Sequence, residues 1–185
     1  MVQDILFAIW FMLPAALANA APVFAAAMPA LKKYDAPIDG GKTFRGQPLF
    51  GPHKTWRGII SGAVVATLVL WIQQVLAANY DWVDFVSGDV DYSSLPLLIV
   101  GPLFGIGALG ADAIKSFFKR RRGIKSGGSW IPFDQIDYIV GSVFVSLFFV
   151  TLSLTQYIWI FIIWFVMHIV VSFIGYKLGL KKSPI

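Results

Sequence analysis

Cysteine is absent from this chain of 185 residues, which excludes disulfide bonds and thiol chemistry. Charged residues are also scarce, at 14% of the sequence, whereas 57% of the residues are hydrophobic and 16% are aromatic. A soluble core of this size does not require so much apolar material. The composition therefore excludes an ordinary soluble domain and indicates an integral membrane protein. We find no internal repeat and expect one polytopic membrane domain over residues 1–185.

Five apolar stretches have about the 20 residues that a helix needs to cross the bilayer core. The third stretch is short and rich in glycine, so we expect it either to break at Pro102 or to continue as a helix into "ADAIKSFF". The sequence thus predicts an all-α fold with about five transmembrane helices. The stretches cover about residues 5–31, 58–78, 95–111, 138–155 and 158–176.

No lysine or arginine lies on one of the two faces that this arrangement creates. Six of the 15 basic residues lie within residues 32–57, six lie within 115–125, and three are Lys177, Lys181 and Lys182. The loop on the opposite face, residues 79–94, has four Asp and no base. Because basic loops are retained in the cytoplasm, we expect the N-terminus outside, the C-terminus inside, and cytoplasmic loops at about 32–57 and 112–137. The N-terminal "MVQD" lacks the positive charge that begins a secretory signal, so we expect the first stretch to be a retained helix.

The basic loops have two interpretations. They could simply set the topology and contact anionic headgroups, with about 1 kcal/mol from each base near the surface. Alternatively, they could bind phosphate, because "DGGKTFRGQPLFGPHKTWRG" interleaves its bases with glycines that let backbone amides approach an anion. The sequence has no Walker pattern and no dinucleotide fingerprint.

The second loop brings four polar residues onto one helical face. If "ADAIKSFFK" is helical, Asp112, Lys115, Ser116 and Lys119 fall at offsets of zero, three, four and seven. A simple ion pair between Asp112 and Lys115 would explain part of this pattern at a few tenths of a kcal/mol. A site at the cytoplasmic end of the helix is the alternative.

Two carboxylates, Asp134 and Asp137, precede the next apolar stretch. They could cap a helix, since an acid at a helix start satisfies free amides and a second acid three residues later resembles a capping box. They could also hold Mg²⁺, which usually takes one or two carboxylates together with phosphate oxygens and water. Three Asp amid lysines are compatible with a site for a metal and a triphosphate, and both interpretations stay open on spacing alone.

The order of these residues resembles the signature of the phosphatidate cytidylyltransferase (CDP-diacylglycerol synthase) family. Upstream, "GK" at 41–42 and "PHKTWRG" at 52–58 resemble that family's "KTW" loop. Two departures and the short chain are similar to the archaeal branch, CDP-archaeol synthase: Ser126 follows Lys125 in place of an acid, and only Phe133 separates Pro132 from Asp134. The matching residues are Asp112, Ser116, "FKR" at 118–120, "GIK" at 123–125, Gly128, "IP" at 131–132, Asp134 and Asp137.

The resemblance implies a membrane enzyme of phospholipid biosynthesis. It would join CTP to an unsaturated isoprenoid diether glycerol phosphate within the bilayer, release pyrophosphate, and use Mg²⁺ at the cytoplasmic face of the cell membrane. It implies no nucleic-acid partner, and a homodimer is compatible with it. The implied catalytic residues are Asp134, Asp137, Lys119 and Lys125. The implied nucleotide and phosphate ligands are Lys42, Lys54, Thr55, Arg57, Ser116 and Arg120, with Asp39 as a further candidate. The implied metal ligands are Asp112, Asp134 and Asp137.

Other functions stay open on the sequence. A synthase of the broader family would use ester-linked phosphatidate, and a CDP-alcohol phosphotransferase would consume CDP-lipids but needs a larger acidic cluster. A transporter of anionic metabolites would need polar residues along its path, yet only Asn19, Gln73 and Gln74 interrupt the first two stretches with amides. An inert scaffold would bind no nucleotide. The small residues and prolines of the first stretch could leave a lateral groove for lipid or could simply allow close helix packing.

Overall fold

Helices make up most of the computed structural model, which describes residues 1–177. The predictions for Lys181 and Lys182 lie outside these residues. A two-stranded antiparallel hairpin, which pairs Thr43 with Pro48 and Phe44 with Gln47, interrupts the helical pattern between the first two helices. The elements within the described residues are α1 (Val2–Ala27), β1 (Thr43–Phe44), β2 (Gln47–Pro48), α2 (Trp56–Asn79), α3 (Trp82–Ser87), a 3₁₀ turn (Tyr92–Ser94), α4 (Leu97–Arg121), α5 (Phe133–Ser146) and α6 (Leu154–Lys177).

Among residues 1–177, four helices are long and apolar enough to cross a membrane, namely α1, α2, α4 and α6. The count of five spanning helices is therefore not confirmed. The expected span at 138–155 corresponds to α5, which has 14 residues and is thus about 21 Å long at about 1.5 Å per residue. A capping box explains why a new helix begins at Leu154: the Ser153 amide donates to Gln156 Oε1 at 2.7 Å, and the Gln156 amide donates to Ser153 Oγ at 3.2 Å.

The third apolar stretch continues as a helix. Helix α4 passes through Pro102 and extends to Arg121, so it includes the whole of "ADAIKSFF". This continuation matters for the site because α4 carries Asp112 and the following lysines beyond its apolar part. The four polar residues predicted to share a face do lie on one helix.

The two ends of the helix assembly differ in character. At one end the loop at Gly88 lies against Phe7 of α1 and Gln156 of α6, since a Cβ at Gly88 would lie 3.2 Å and 3.1 Å from their side chains. At the other end, residues from α1, α4, α5 and α6 line a polar cavity together. Helix α5 begins at the polar end, and residues 147–153 then lead to the start of α6 at the opposite end.

Glycines let α4 approach its two neighbours closely. A Cβ at Gly105 of α4 would lie 2.5 Å from the carbonyl oxygen of Gly62 in α2. A Cβ at Gly107 would lie 2.8 Å from the Gly141 carbonyl oxygen of α5, and a Cβ at Gly141 would collide with the Gly107 carbonyl in turn. Small residues at such crossings allow the backbones to pack directly against each other. This contact holds α4 and α5 together one to two turns from the charged residues of the site.

We expect Gly141→Ala to destabilise the protein by about 1–3 kcal/mol, because the added methyl group would overlap the α4 backbone, which cannot move aside cheaply. Thermal unfolding of the purified protein in detergent measures this effect as a lower Tm. Gly110→Ala is the matched control, since a Cβ at Gly110 meets nothing within 4 Å. Equal Tm values for the two variants would contradict the role of this crossing.

Candidate functional site

A polar cavity of about 490 Å³ lies at the end of the helix assembly where α4 ends and α5 begins. The loop before α2 and the loop between α4 and α5 complete its walls. Apart from Phe50, its lining residues carry charged or polar side chains or are glycines. The lining residues are Asn19, Phe50, His53, Lys54, Asp112, Lys115, Ser116, Lys119, Arg120, Ser126, Gly127, Gly128, Ser129, Asp134, Gln135, Asp137, His168 and Ser172.

One lysine joins all three carboxylates of the cavity. The Nζ atom of Lys115 lies 2.9 Å from Asp112 Oδ1 and 2.8 Å from Asp134 Oδ1, and it also pairs with Asp137 Oδ2. The ion pair expected between Asp112 and Lys115 is therefore present. The same ammonium group, however, reaches across from α4 to both acids of α5, so the contact is more than a local helical pair.

Two further lysines complete the charge balance. Lys54, from the loop before α2, pairs with Asp112 Oδ2. Lys119 donates to both carboxylate oxygens of Asp134, at 2.9 Å and 3.0 Å. Three Asp and three Lys thus neutralise each other formally, and this pairing offsets part of the desolvation cost of burying them.

Neither Asp134 nor Asp137 is the N-cap residue of α5, although Asp134 lies in the first turn of this helix. The N-cap residue of α5 is Pro132, and no side chain caps the helix. Asp134 instead accepts the amide of Trp130 at 2.6 Å in addition to its lysine contacts, and Asp137 accepts the amide of Tyr138 at 2.6 Å. Both carboxylates are therefore directed toward α4 and the preceding loop.

Several other predicted ligands also line the cavity. Ser116 and Arg120 are 5% and 8% exposed, so their polar groups are available to the interior of the cavity rather than to solvent. The Ser116 hydroxyl donates to the Asp112 carbonyl at 2.9 Å, which leaves its oxygen free to accept. Arg120 Nη1 donates to the Ile124 carbonyl at 2.7 Å and so fixes the loop that follows α4.

Four predicted ligands do not line this cavity. Thr55 caps α2 by accepting the Gly58 amide at 3.2 Å, and Arg57 Nη1 donates to the carbonyls of Leu31 and Lys32 at 3.1 Å and 3.0 Å. Lys42 and Lys125 are exposed on the two loops that border the cavity.

Asp39 organises the first loop instead of lining the cavity. Its carboxylate accepts the amides of Gly41 at 3.0 Å, Phe50 at 2.9 Å and Gly51 at 3.3 Å. Burial raises the pKa of this carboxyl, but the hydrogen bonds from the three amides outweigh burial and hold the pKa of Asp39 below its ordinary value. The ionised group therefore stabilises the loop at neutral pH and loses that contribution only as the pH falls below the ordinary range of Asp. The loop so fixed carries Phe50 and Lys54 into the cavity wall.

Sequence reasoning missed Lys115 and Gln135 as site residues. The helical spacing did place Lys115 on the same face as Asp112, but it could not show that α5 packs against that face. Gln135 lies between the two Asp in "DQID" and is 2% exposed, and its Oε1 atom has no hydrogen-bond partner among residues 1–177. His168 of α6 also lines the cavity, and its ring lies 5.9 Å from the ring of Tyr138.

The donor atoms of the cavity fit a divalent cation that shares its ligands with a phosphate. Within residues 1–177, no group of three Asp, Glu, His or Cys is arranged to hold a metal ion by itself. Mg²⁺ does not require such a group, because it usually binds one or two carboxylates and takes its other ligands from phosphates and water. Three carboxylates that converge on one ammonium group, with the unpartnered Gln135 Oε1 in the same cavity, supply suitable hard oxygen atoms.

A second pocket of about 430 Å³ adjoins the polar cavity between α1, α2 and α4. The two share Asn19, His53, Lys54 and Asp112. The other lining residues of the second pocket are mostly apolar, but two predicted ligands, Thr55 and Arg57, are among them. The apolar ones are Pro22, Val23, Ala26, Ile38, Ile59, Leu109 and Ala113. Charged and apolar surfaces thus meet at Lys54 and Asp112.

Comparison with known proteins identifies the family. The model of the CarS-like family, described as CDP-archaeol synthase, matches residues 1–185. The CDP-archaeol synthase of Methanospirillum hungatei JF-1 is 37% identical over 155 residues, which cover 80% of this chain and 89% of the relative. The CDP-archaeol synthase of Thermococcus onnurineus is 31% identical over 185 residues, which cover 99% of this chain and 98% of the relative.

A solved structure agrees with this assignment. The structure of an intramembrane enzyme for archaeal membrane lipid biosynthesis superimposes with a TM-score of 0.69 and 28% sequence identity. The match covers 89% of this chain and 92% of that chain. The family resemblance of the motifs is therefore confirmed over the whole length, and the chain belongs to the CarS-like family of CDP-archaeol synthases.

Proposed function

We propose that this protein transfers the cytidylyl group of CTP to an isoprenoid ether-linked glycerol phosphate and so forms CDP-archaeol and pyrophosphate. The observation that carries the proposal is the junction of two surfaces: a cavity lined by paired lysines and aspartates shares Lys54 and Asp112 with a largely apolar pocket between α1, α2 and α4. A nucleoside triphosphate requires a charged surface such as that of the cavity, and a lipid chain requires an apolar surface such as that of the pocket. The names of the relatives support the ether lipid as acceptor.

The main requirement for catalysis of this reaction is neutralisation of negative charge. An oxygen of the lipid phosphate forms a bond to the α-phosphorus of CTP, the bond from that phosphorus to the β-phosphate breaks, and pyrophosphate leaves with the electron pair. A phosphomonoester has a second pKa of about 6, so it is already largely ionised at neutral pH and needs no general base. The obstacle is the approach of one anion to another, which basic side chains and alignment reduce.

The charged residues of the cavity can perform these tasks. Lys119 and Arg120 are 7% and 8% exposed, and in such a poorly hydrated position a cation interacts strongly with phosphate oxygens. Ser116 offers a hydroxyl oxygen and, after rotation, a hydroxyl donor on the same face. Lys54 lies where the cavity meets the apolar pocket, so we assign it to the phosphate of the lipid acceptor.

We assign Asp112, Asp134 and Asp137 to hold Mg²⁺, directly or through water, in company with the triphosphate. When bound there, Mg²⁺ would neutralise part of the triphosphate charge and help to align it. Lys42 and Lys125 stay predictions as phosphate ligands, because both are exposed on loops that border the cavity. Thr55 and Arg57 also stay predictions as phosphate ligands, because both line the adjoining apolar pocket while their hydrogen bonds stabilise the connection between α1 and α2.

We further propose that the cavity faces the cytoplasm. All twelve bases of residues 32–57 and 115–125 lie in the loops and helix ends at the polar end of the assembly, whereas the loop at 79–94 at the other end carries four Asp and no base. The rule that basic loops stay in the cytoplasm then orients the protein with its N-terminus outside. CTP would thus reach the cavity from the cytoplasm and the acceptor would reach it from the bilayer.

We expect the purified protein to form a CDP-lipid and pyrophosphate from CTP, Mg²⁺ and the isoprenoid ether-linked glycerol phosphate. Ester-linked phosphatidate, tested side by side, should react more slowly, with product quantified by mass spectrometry. Equal use of both lipids would move the function to the broader CDP-diacylglycerol synthase activity. Absence of product with either lipid would contradict the proposed function.

We expect Asp134→Asn to lower kcat by at least about 100-fold, because it removes a charge that the metal and Lys119 both use, and losses of that size follow removal of one electrostatic contact in an active site. Asp35→Asn is the matched control, since Asp35 is exposed in the first loop. Turnover at saturating CTP is the measurement, with Tm as a check on folding. Full activity of Asp134→Asn would overturn the metal assignment of this residue.

A further inference from the structure

Lys115 occupies a central position in the cavity that the family signature does not explain. Its side chain is 12% exposed, and its ammonium group contacts one oxygen of each of the three carboxylates. Lys54 contacts only Asp112 among these acids, and Lys119 contacts only Asp134. Lys115 is therefore the cation around which the three carboxylates are arranged.

The charge balance shows what this arrangement does to a second cation. The three carboxylates carry a formal charge of −3, and Lys54, Lys115 and Lys119 carry +3, so the group is neutral. A divalent ion that enters alone would bring the group to +2 and would meet the ammonium of Lys115 at the shared oxygens. A nucleoside triphosphate that enters with the ion would compensate the added positive charge, and its phosphate oxygens would be new partners for Lys115.

We propose that Lys115 is an internal counter-ion that competes with the divalent cation for Asp112, Asp134 and Asp137, so that the metal binds well only together with the nucleotide. This inference rests on the proposed function for the identity of the cation. Lys115 thereby acts as a positioning residue: it holds the three carboxylates together before substrate binding, and it passes to the phosphates when the metal takes its place.

The unpartnered Gln135 Oε1 supports a cation site at this position independently of the acids. Gln135 lines the same cavity, its Oε1 acceptor has no partner within the part of the chain that the structure describes, and such a buried acceptor is costly unless a ligand satisfies it. The cavity is thus prepared for a ligand that brings a positive charge or a donor, beyond the ammonium that it already contains.

Binding of Mn²⁺ alone to the purified protein, followed by electron paramagnetic resonance of the free ion, tests the competition without any turnover. Lys115→Met removes the charge but keeps an unbranched side chain, and we expect it to bind Mn²⁺ at least tenfold more tightly than the unmodified protein. Lys115→Arg keeps the positive charge, and we expect a gain in Mn²⁺ affinity clearly smaller than that of Lys115→Met. Lys119→Met removes one charge from the same cavity but frees only one carboxylate, so we expect a gain of at most threefold.

Unchanged Mn²⁺ affinity in Lys115→Met, or an equal gain in Lys115→Met and Lys119→Met, would overturn the proposal. If Lys115→Met does not fold, Lys115→Gln takes its place with the same expected gain. Formation of CDP-lipid by the unmodified protein, assayed in the same preparation, separates the two claims. Product formation with no gain in Mn²⁺ affinity refutes only the role of Lys115, whereas absence of product refutes the proposed function.

Discussion

The pairing of three carboxylates with three lysines between α4, α5 and the first loop is the constraint on which the rest of this structure depends. Charges beside or within a bilayer are costly unless they are paired, so these six groups can be buried only where all of them meet. Helix α4 contributes Asp112, Lys115 and Lys119, α5 contributes Asp134 and Asp137, and Lys54 enters from the loop before α2. None of the three segments could hold its charges in this position alone.

The fold supports this pairing by close contacts that carry no charge. Gly107 and Gly141 bring the backbones of α4 and α5 into direct contact, and the side chain of Asp39 fixes the loop that carries Lys54. The short α5 has a related consequence. It begins at the polar end, so its first turn contributes side chains to the site. It ends at Ser146, and residues 147–153 connect it to the start of α6.

Much of this could be predicted from the sequence because hydropathy, charge and motif order are local signals. They indicated a helical membrane protein, the family, and a shared face for Asp112, Lys115, Ser116 and Lys119. The end of α5 at Ser146 was missed, because the apolar run continues through residues 147–153 without a glycine or proline. The start of α6 could have been found, since "SLTQ" at 153–156 has the spacing of the capping box that Ser153 and Gln156 form. The central place of Lys115 was also missed, since it depends on the packing of α5 against α4 and not on any spacing within one segment.

The most direct test of this account is the equilibrium binding of CTP in the presence of Mg²⁺ to the unmodified protein and to Lys119→Met. We expect the unmodified protein to bind CTP and the variant to bind it at least about tenfold more weakly, because a buried cation that faces phosphate contributes well over about 1.4 kcal/mol. Lys177→Met, at the end of α6 with its ammonium 5.6 Å from the centre of the Phe173 ring, is the control for a general change in charge. Equal affinity of all three proteins for CTP would contradict the assignment of the nucleotide to the cavity between α4 and α5.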